Sequence, residues 1–127
     1  MITNFETLTI ELTDEELQVI PILIKGFKTH EKENPITEPN IIENMNIFLK
    51  QNTDLKIKIT GVRLRKMVNY IRVNALIPLM ATSQGYFVSY DQKEIESQIK
   101  SLYQRAKSIS NAADGLLLFT KGHGVTP

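Results

Sequence analysis

Between Thr60 and Tyr90 the chain changes its apolar period once, and Pro78 fixes where the change falls. Before it, Leu64, Met67, Val68 and Ile71 recur at helical spacing and make one apolar stripe. Thr60 is suited to cap this helix, since its hydroxyl can accept from an amide two or three residues on. Asn74 and Ala75 end it, and Pro78 keeps it from continuing. Leu76 to Thr82 is short, apolar and suited to a strand. Ser83-Gln84-Gly85 reads as a turn in which Gly85 is free to take positive φ. Tyr86 to Tyr90 is rich in aromatic and β-branched residues, as strands are. A helix followed by a two-stranded hairpin is the frame that the rest of the chain must fit.

The other side of that helix carries the chemistry. Arg63, Lys66, Asn69 and Tyr70 are assigned to the face opposite the stripe, with Arg65 and Arg72 on the flank. No acidic residue occurs from Lys56 to Tyr90. A helix with an apolar back and such a front suits a DNA major groove, where these side chains reach phosphates and base edges. Arg63 and Lys66 are expected near base edges or phosphates, and Asn69 against an adenine edge. Lys56 and Lys58, just before the Thr60 cap, are expected to hold phosphates. The turn has no Lys or Arg, so only Ser83 and Gln84 offer phosphate partners there. The bland alternative is the solvated face of an ordinary helix.

The segments VRLRKMVNYIR and LIPLMATSQGYFVS resemble the recognition helix and wing of small winged helix-turn-helix proteins, many of them encoded by bacteriophages and prophages. The likeness is sharpest at Ala81 to Tyr86, after the basic helix ending in NYIR. It covers about a quarter of the chain strongly and the flanking helices loosely. It implies that aromatic residues of the second strand, here Tyr86 or Phe87, pack under the recognition helix.

The chain before this stretch supplies two further helices. Residues 1–12 alternate loosely (Phe5, Leu8, Ile10, Leu12) and read as an arm or short strand. Thr13-Asp14-Glu15-Glu16 is a capping box. The helix it opens is expected to bury Leu17, Ile20, Ile24 and Phe27, to bend or lose a hydrogen bond at Pro21, and to end near Lys28. Thr29 to Pro35 is polar and turn-like. Thr37-Glu38-Pro39-Asn40 opens a second helix with Ile41, Ile42, Met45, Phe48 and Leu49 as its stripe. Leu55 to Ile59 alternates apolar and basic and is either a strand pairing with the hairpin or a linker. The order helix, helix, basic helix, hairpin is that of a winged helix. The expected class is mainly α with a small β-hairpin, with the winged-helix domain over residues 13–90.

Asp91 is suited to cap a long helix over residues 91–119. Ile95, Ile99, Leu102, Ala106, Ile109, Ala113 and Leu116 alternate spacings of four and three, a heptad seam over about three heptads. The seam either dimerises, through Ile95, Ile99, Leu102, Ala106 and Ile109, or packs on the first helix of its own chain. A two-fold dimer would imply palindromic half-sites. Fraying is expected near Gly115, and residues 120–127 read as a disordered tail.

The 127 residues suffice for one core, and a net charge of +1 argues against a bulk polyanion binder. That total conceals five acids and no Lys or Arg from Met1 to Ile20, against six bases and one acid from Asp54 to Ala75. The chain has no cysteine, so disulfides, thiol nucleophiles and cysteine metal sites are excluded. The N-terminus lacks the form of a signal peptide and no apolar run is of membrane-span length, so a cytoplasmic chain is expected. His30 and His123 are isolated, and no P-loop, GxGxxG or GxSxG occurs, so neither a metal site, a cofactor nor an enzyme is expected. Three readings result. The first is a phage-type protein that binds double-stranded DNA in transcription control or replication. The second is a protein-interaction module, such as an inhibitor of a host nuclease or defence complex, working through the acidic face from Glu6 to Glu16. The third is a structural dimer or virion component.

Overall fold

The computed structural model describes residues 11–123, and among them are four α-helices, a two-stranded antiparallel hairpin and a short π-type turn. Their order is α1 (Asp14–Phe27), α2 (Glu38–Asn52), α3 (Gly61–Val73), β1 (Leu79–Thr82), β2 (Gly85–Val88) and α4 (Gln92–Leu118). The fold is mainly helical with a small hairpin, as expected. The residues divide between Tyr90 and Asp91 into two compact units.

In the first unit, α1 opens with a reciprocal cap. The Glu16 amide donates to the Thr13 hydroxyl at 3.1 Å, and the Thr13 amide donates to Glu16 Oε1 at 2.8 Å. The helix runs unbroken through an exposed Pro21. Its inner face differs from the expected one. Val19, Ile20, Leu23 and Phe27 are buried, whereas Leu17 is exposed and Ile24 half-buried. The run VIPILI is apolar on every side, so its period did not fix the rotation; a buried Glu16 does. Thr37 caps α2, which buries Ile41, Met45 and Leu49. Phe48, expected inside, is exposed, and Ile42 is half-buried.

The chain from Leu55 to Ile59 is a linker, not a strand. Asn46 holds its end: its amide donates to the Ile59 carbonyl at 3.0 Å and its carbonyl accepts from the Ile59 amide at 2.8 Å. Ile36 pairs with the hairpin instead. The Ile36 amide donates to the Tyr86 carbonyl at 2.9 Å and the Tyr86 amide donates back at 2.8 Å. Thus a single residue between α1 and α2 adds a third position to the hairpin.

Thr60 caps α3, and Leu64, Met67, Val68 and Ile71 are all buried, as the stripe required. The helix closes with Leu76 donating to the Ile71 carbonyl and Ala75 to that of Arg72, while Ala75 takes φ +53°. Leu76 is thereby spent on the cap, and the strand starts only at Leu79, after Pro78. Ser83 and Gln84 form a two-residue loop between the paired Thr82 and Gly85. Tyr86 is half-buried with its ring 5.3 Å from that of Phe27, so it packs on α1. Leu79 and Val88 join the core, and the opposed pair Met80 and Phe87 is also buried.

In the second unit, the Asp91 side chain accepts from the Glu94 amide at 3.0 Å and caps α4. The helix continues past Gly115, where fraying was expected, and ends in a wider π-type turn over Phe119–His123. One glycine costs a helix only about 1 kcal/mol relative to alanine, and three leucines follow it here. Thr120 to His123, at the start of the expected tail, fall within that π-type turn. The remainder of the expected tail, the side chain of His123 and most of the expected N-terminal arm lie outside the described residues; Leu12 packs against the core.

Candidate nucleic-acid interface

Glu16 is the one buried charged residue among those described, with a side chain 1% exposed. Arg63 Nε donates to its Oε2 at 2.8 Å and Lys66 Nζ lies 2.9 Å from its Oε1. Burial pushes the Glu16 carboxyl up. Hydrogen bonds from the Thr13 amide, Lys66 and Arg63, with the Lys66 charge, outweigh it and hold the group below its ordinary value. A buried carboxylate requires such pairing, because desolvation without it favours the neutral acid.

This corrects the expected face of α3. Arg63 and Lys66 do not stand free opposite the stripe. They turn toward α1 and close over Glu16, which leaves Lys66 only 16% exposed. Arg63 also donates through Nη1 to the Lys58 carbonyl at 2.9 Å, joining the linker to the helix. Tyr70 is half-buried against the core. On the other flank, Arg65 Nη1 donates to Glu38 Oε1 at 2.9 Å, and Tyr86 donates to Glu38 Oε2 at 3.4 Å. Arg72 Nε donates to the Leu79 carbonyl at 3.1 Å, tying α3 to β1.

The residues left exposed at the start of α3 are Lys56, Lys58 and Thr60; on the helix, Arg65 and Asn69; and at the hairpin loop, Ser83 and Gln84. Thr82 Oγ1 accepts from the Gln84 amide at 3.2 Å, which orders the loop. Two residues absent from the expected set share the outward strip of α3. Val62 is 55% and Val73 73% exposed, with Leu76 exposed just beyond. Their signal is in the spacing: Val62, Asn69 and Val73 follow one another at seven and four.

The acidic N-terminal face is only partly a face. Glu11, Asp14 and Glu15 are exposed, Glu16 is inside, and Glu6 lies outside the described residues. No protein-family model matches the chain, and no match is found among curated proteins or solved structures. Among the described residues no group of three or more acidic or histidine side chains is arranged to hold a metal ion. His30 Nδ1 is engaged with the Asn34 carbonyl at 2.9 Å. No described helix is long and apolar enough to cross a membrane.

Proposed function

We propose that this chain is a winged helix-turn-helix protein, of the kind phages and prophages encode, that binds double-stranded DNA in the cytoplasm, in transcription control or replication. The observation that carries the reading is the exposed set Lys56, Lys58, Arg65 and Asn69, in a stretch without a carboxylate from Lys56 to Tyr90. The element order, three helices followed by a hairpin, supports it.

For Arg63 and Lys66 the roles differ from those the sequence suggests. Lys56 and Lys58 hold phosphates at the mouth of α3. Arg65 exchanges Glu38 for a phosphate, a cheap exchange because an exposed ion pair contributes about 0–1 kcal/mol. Asn69 reads an adenine edge, and Val62 and Val73 meet thymine methyl groups. Arg63 and Lys66 are positioning residues that fix α3 on α1. Ser83 and Gln84 donate to phosphate at the loop.

Fluorescence anisotropy with labelled random duplex tests this at low and physiological salt. Binding that weakens steeply with salt, and that Arg65→Ala with Lys56→Ala and Lys58→Ala abolishes, is expected. No binding at low salt overturns it. One observation favours a second reading, a protein-interaction module: the α3 bases are bonded within the fold while Val62, Val73 and Leu76 face outward. Under that reading Val73→Asp abolishes function and no duplex binds.

A further inference from the structure

We infer that α4 pairs antiparallel with α4 of a second copy, around a two-fold axis midway between residues 107 and 108. None of the residues of α4 is buried. Yet Ile99, Leu102 and Ile109 are exposed along one seam, Leu116 extends it, and Ile95 is half-buried at its start. In proteins most helical stability comes from packing an apolar face. A seam sustained over about three heptads is the length that a helix pair uses.

The second copy is the fitting occupant because the seam complements itself. In heptad terms, Ile99, Ala106 and Ala113 take the a positions, and Ile95, Leu102, Ile109 and Leu116 the d positions. Antiparallel pairing sets each a against a d. In one register Ile99 meets Leu116, Ala106 meets Ile109 and Ala113 meets Leu102, and Ile95 reaches Thr120. Every alanine then faces a large side chain, so the layers fill evenly. Parallel pairing instead stacks Ala106 on Ala106 and Ala113 on Ala113, leaving two thin layers between thick ones. It also puts Ile95 and Ile109 at d, where parallel dimers favour Leu.

The charges select among antiparallel registers. In the register named, Glu96 lies beside Leu117, Arg105 beside Ala112 and Tyr103 beside Ser110, so no like charges meet. Sliding by one heptad toward the N-terminus brings Arg105 against its own copy and shortens the seam.

The chain has no cysteine, so single substitutions define unique disulfides. Ala113→Cys and Leu102→Cys are oxidised alone and as an equimolar mixture of full-length chains. In the inferred pairing each cysteine lies about 16 Å along the axis from its own copy, beyond disulfide reach. The linked dimer is therefore expected only in the mixture. Linkage of Ala113→Cys with itself, without the partner variant, overturns the antiparallel pairing. Sedimentation equilibrium should give twice the chain mass, and Leu102→Asp should raise the dissociation constant about 100-fold or more while Ser108→Asp leaves it unchanged. A monomeric wild type at tens of micromolar overturns the inference, as does a trimer. Unchanged melting of the first unit in Leu102→Asp distinguishes dissociation from unfolding.

Discussion

The Glu16 carboxylate and the Lys66 ammonium meet at 2.9 Å where only 1% of the glutamate side chain reaches solvent. A residue whose local duty is to cap α1 thus also anchors α3, whose Arg63 bonds its second oxygen. Removing one partner of a buried pair leaves the others desolvated and uncompensated, at a cost of about 3–5 kcal/mol when all are fully buried. Both cations here retain some solvent, so Glu16→Ala should cost about 2–3 kcal/mol, measured by urea unfolding. Arg63→Ala should cost less, because the arginine is the more exposed of the two cations. Equal stability of Glu16→Ala and wild type would remove the anchor role.

The same carboxylate sets a pH dependence. Folded Glu16 holds its proton less tightly than the ordinary carboxyl value of 4.5. Its contribution is therefore fully present above that value and is lost as pH falls through the lower, folded value. Wild type should lose melting temperature on acidification below 4.5. Glu16→Gln, already lacking the charge, should show a shallower acid slope. Parallel acid slopes for the two proteins would count against the depressed value.

Two glycines should respond oppositely to alanine. At Gly85, with φ +131°, an added Cβ would stand 2.5 Å from the Ile36 carbonyl oxygen, and that oxygen accepts the Tyr86 amide. Gly85→Ala should cost about 2–3 kcal/mol through strain and loss of the bridge. At Gly115 a Cβ meets nothing within 4 Å, so Gly115→Ala should raise the helical signal of α4 and stabilise it by about 0.5–1 kcal/mol. Thermal melts and circular dichroism of both variants check the pair.

Ala75 occupies a left-handed position that glycine takes more readily. The strain of such a backbone is about 1–2 kcal/mol for a residue with Cβ, partly offset by greater freedom of glycine in the unfolded chain. Ala75→Gly should therefore raise stability by about 0.5–1 kcal/mol, or about 2–8 °C in melting temperature. A lower melting temperature would show that unfolded-state freedom prevails.

What could be read from the sequence was local. The caps at Thr13, Thr37, Thr60 and Asp91 each join groups three residues apart, and their side chains name them. The α3 stripe was legible because polar residues separate its members. The rotation of α1 was not, because VIPILI has no polar side to mark the surface. The pairing of Glu16 with Arg63 spans 47 residues, and no local pattern signals it. Ile36 was missed because a bridge of one residue has no period. The candidate site inherits both gaps: the distant Glu16 draws Arg63 and Lys66 inward, and the apolar Val62 and Val73 stand outward among polar neighbours.

The bases at α3 divide into two groups that one experiment separates. Lys56 and Lys58 are exposed, and Arg65 shares an exposed ion pair with Glu38. Arg63 and Lys66 close over Glu16. If α3 enters a groove, Lys56→Ala with Lys58→Ala should lower the slope of log affinity against log salt by about 2, one counterion per phosphate contact, with melting unchanged within about 0.5 kcal/mol. Arg63→Met with Lys66→Met should instead lower the melting temperature and weaken every duplex by misplacing the helix, with little change in the slope. The two groups exchange roles if Arg63 and Lys66 leave Glu16 to grip phosphate. In that event the methionine pair would take the slope change, and Glu16→Gln, which frees both cations, would bind DNA more tightly than wild type. Salt titrations of the four proteins against one duplex decide between the assignments.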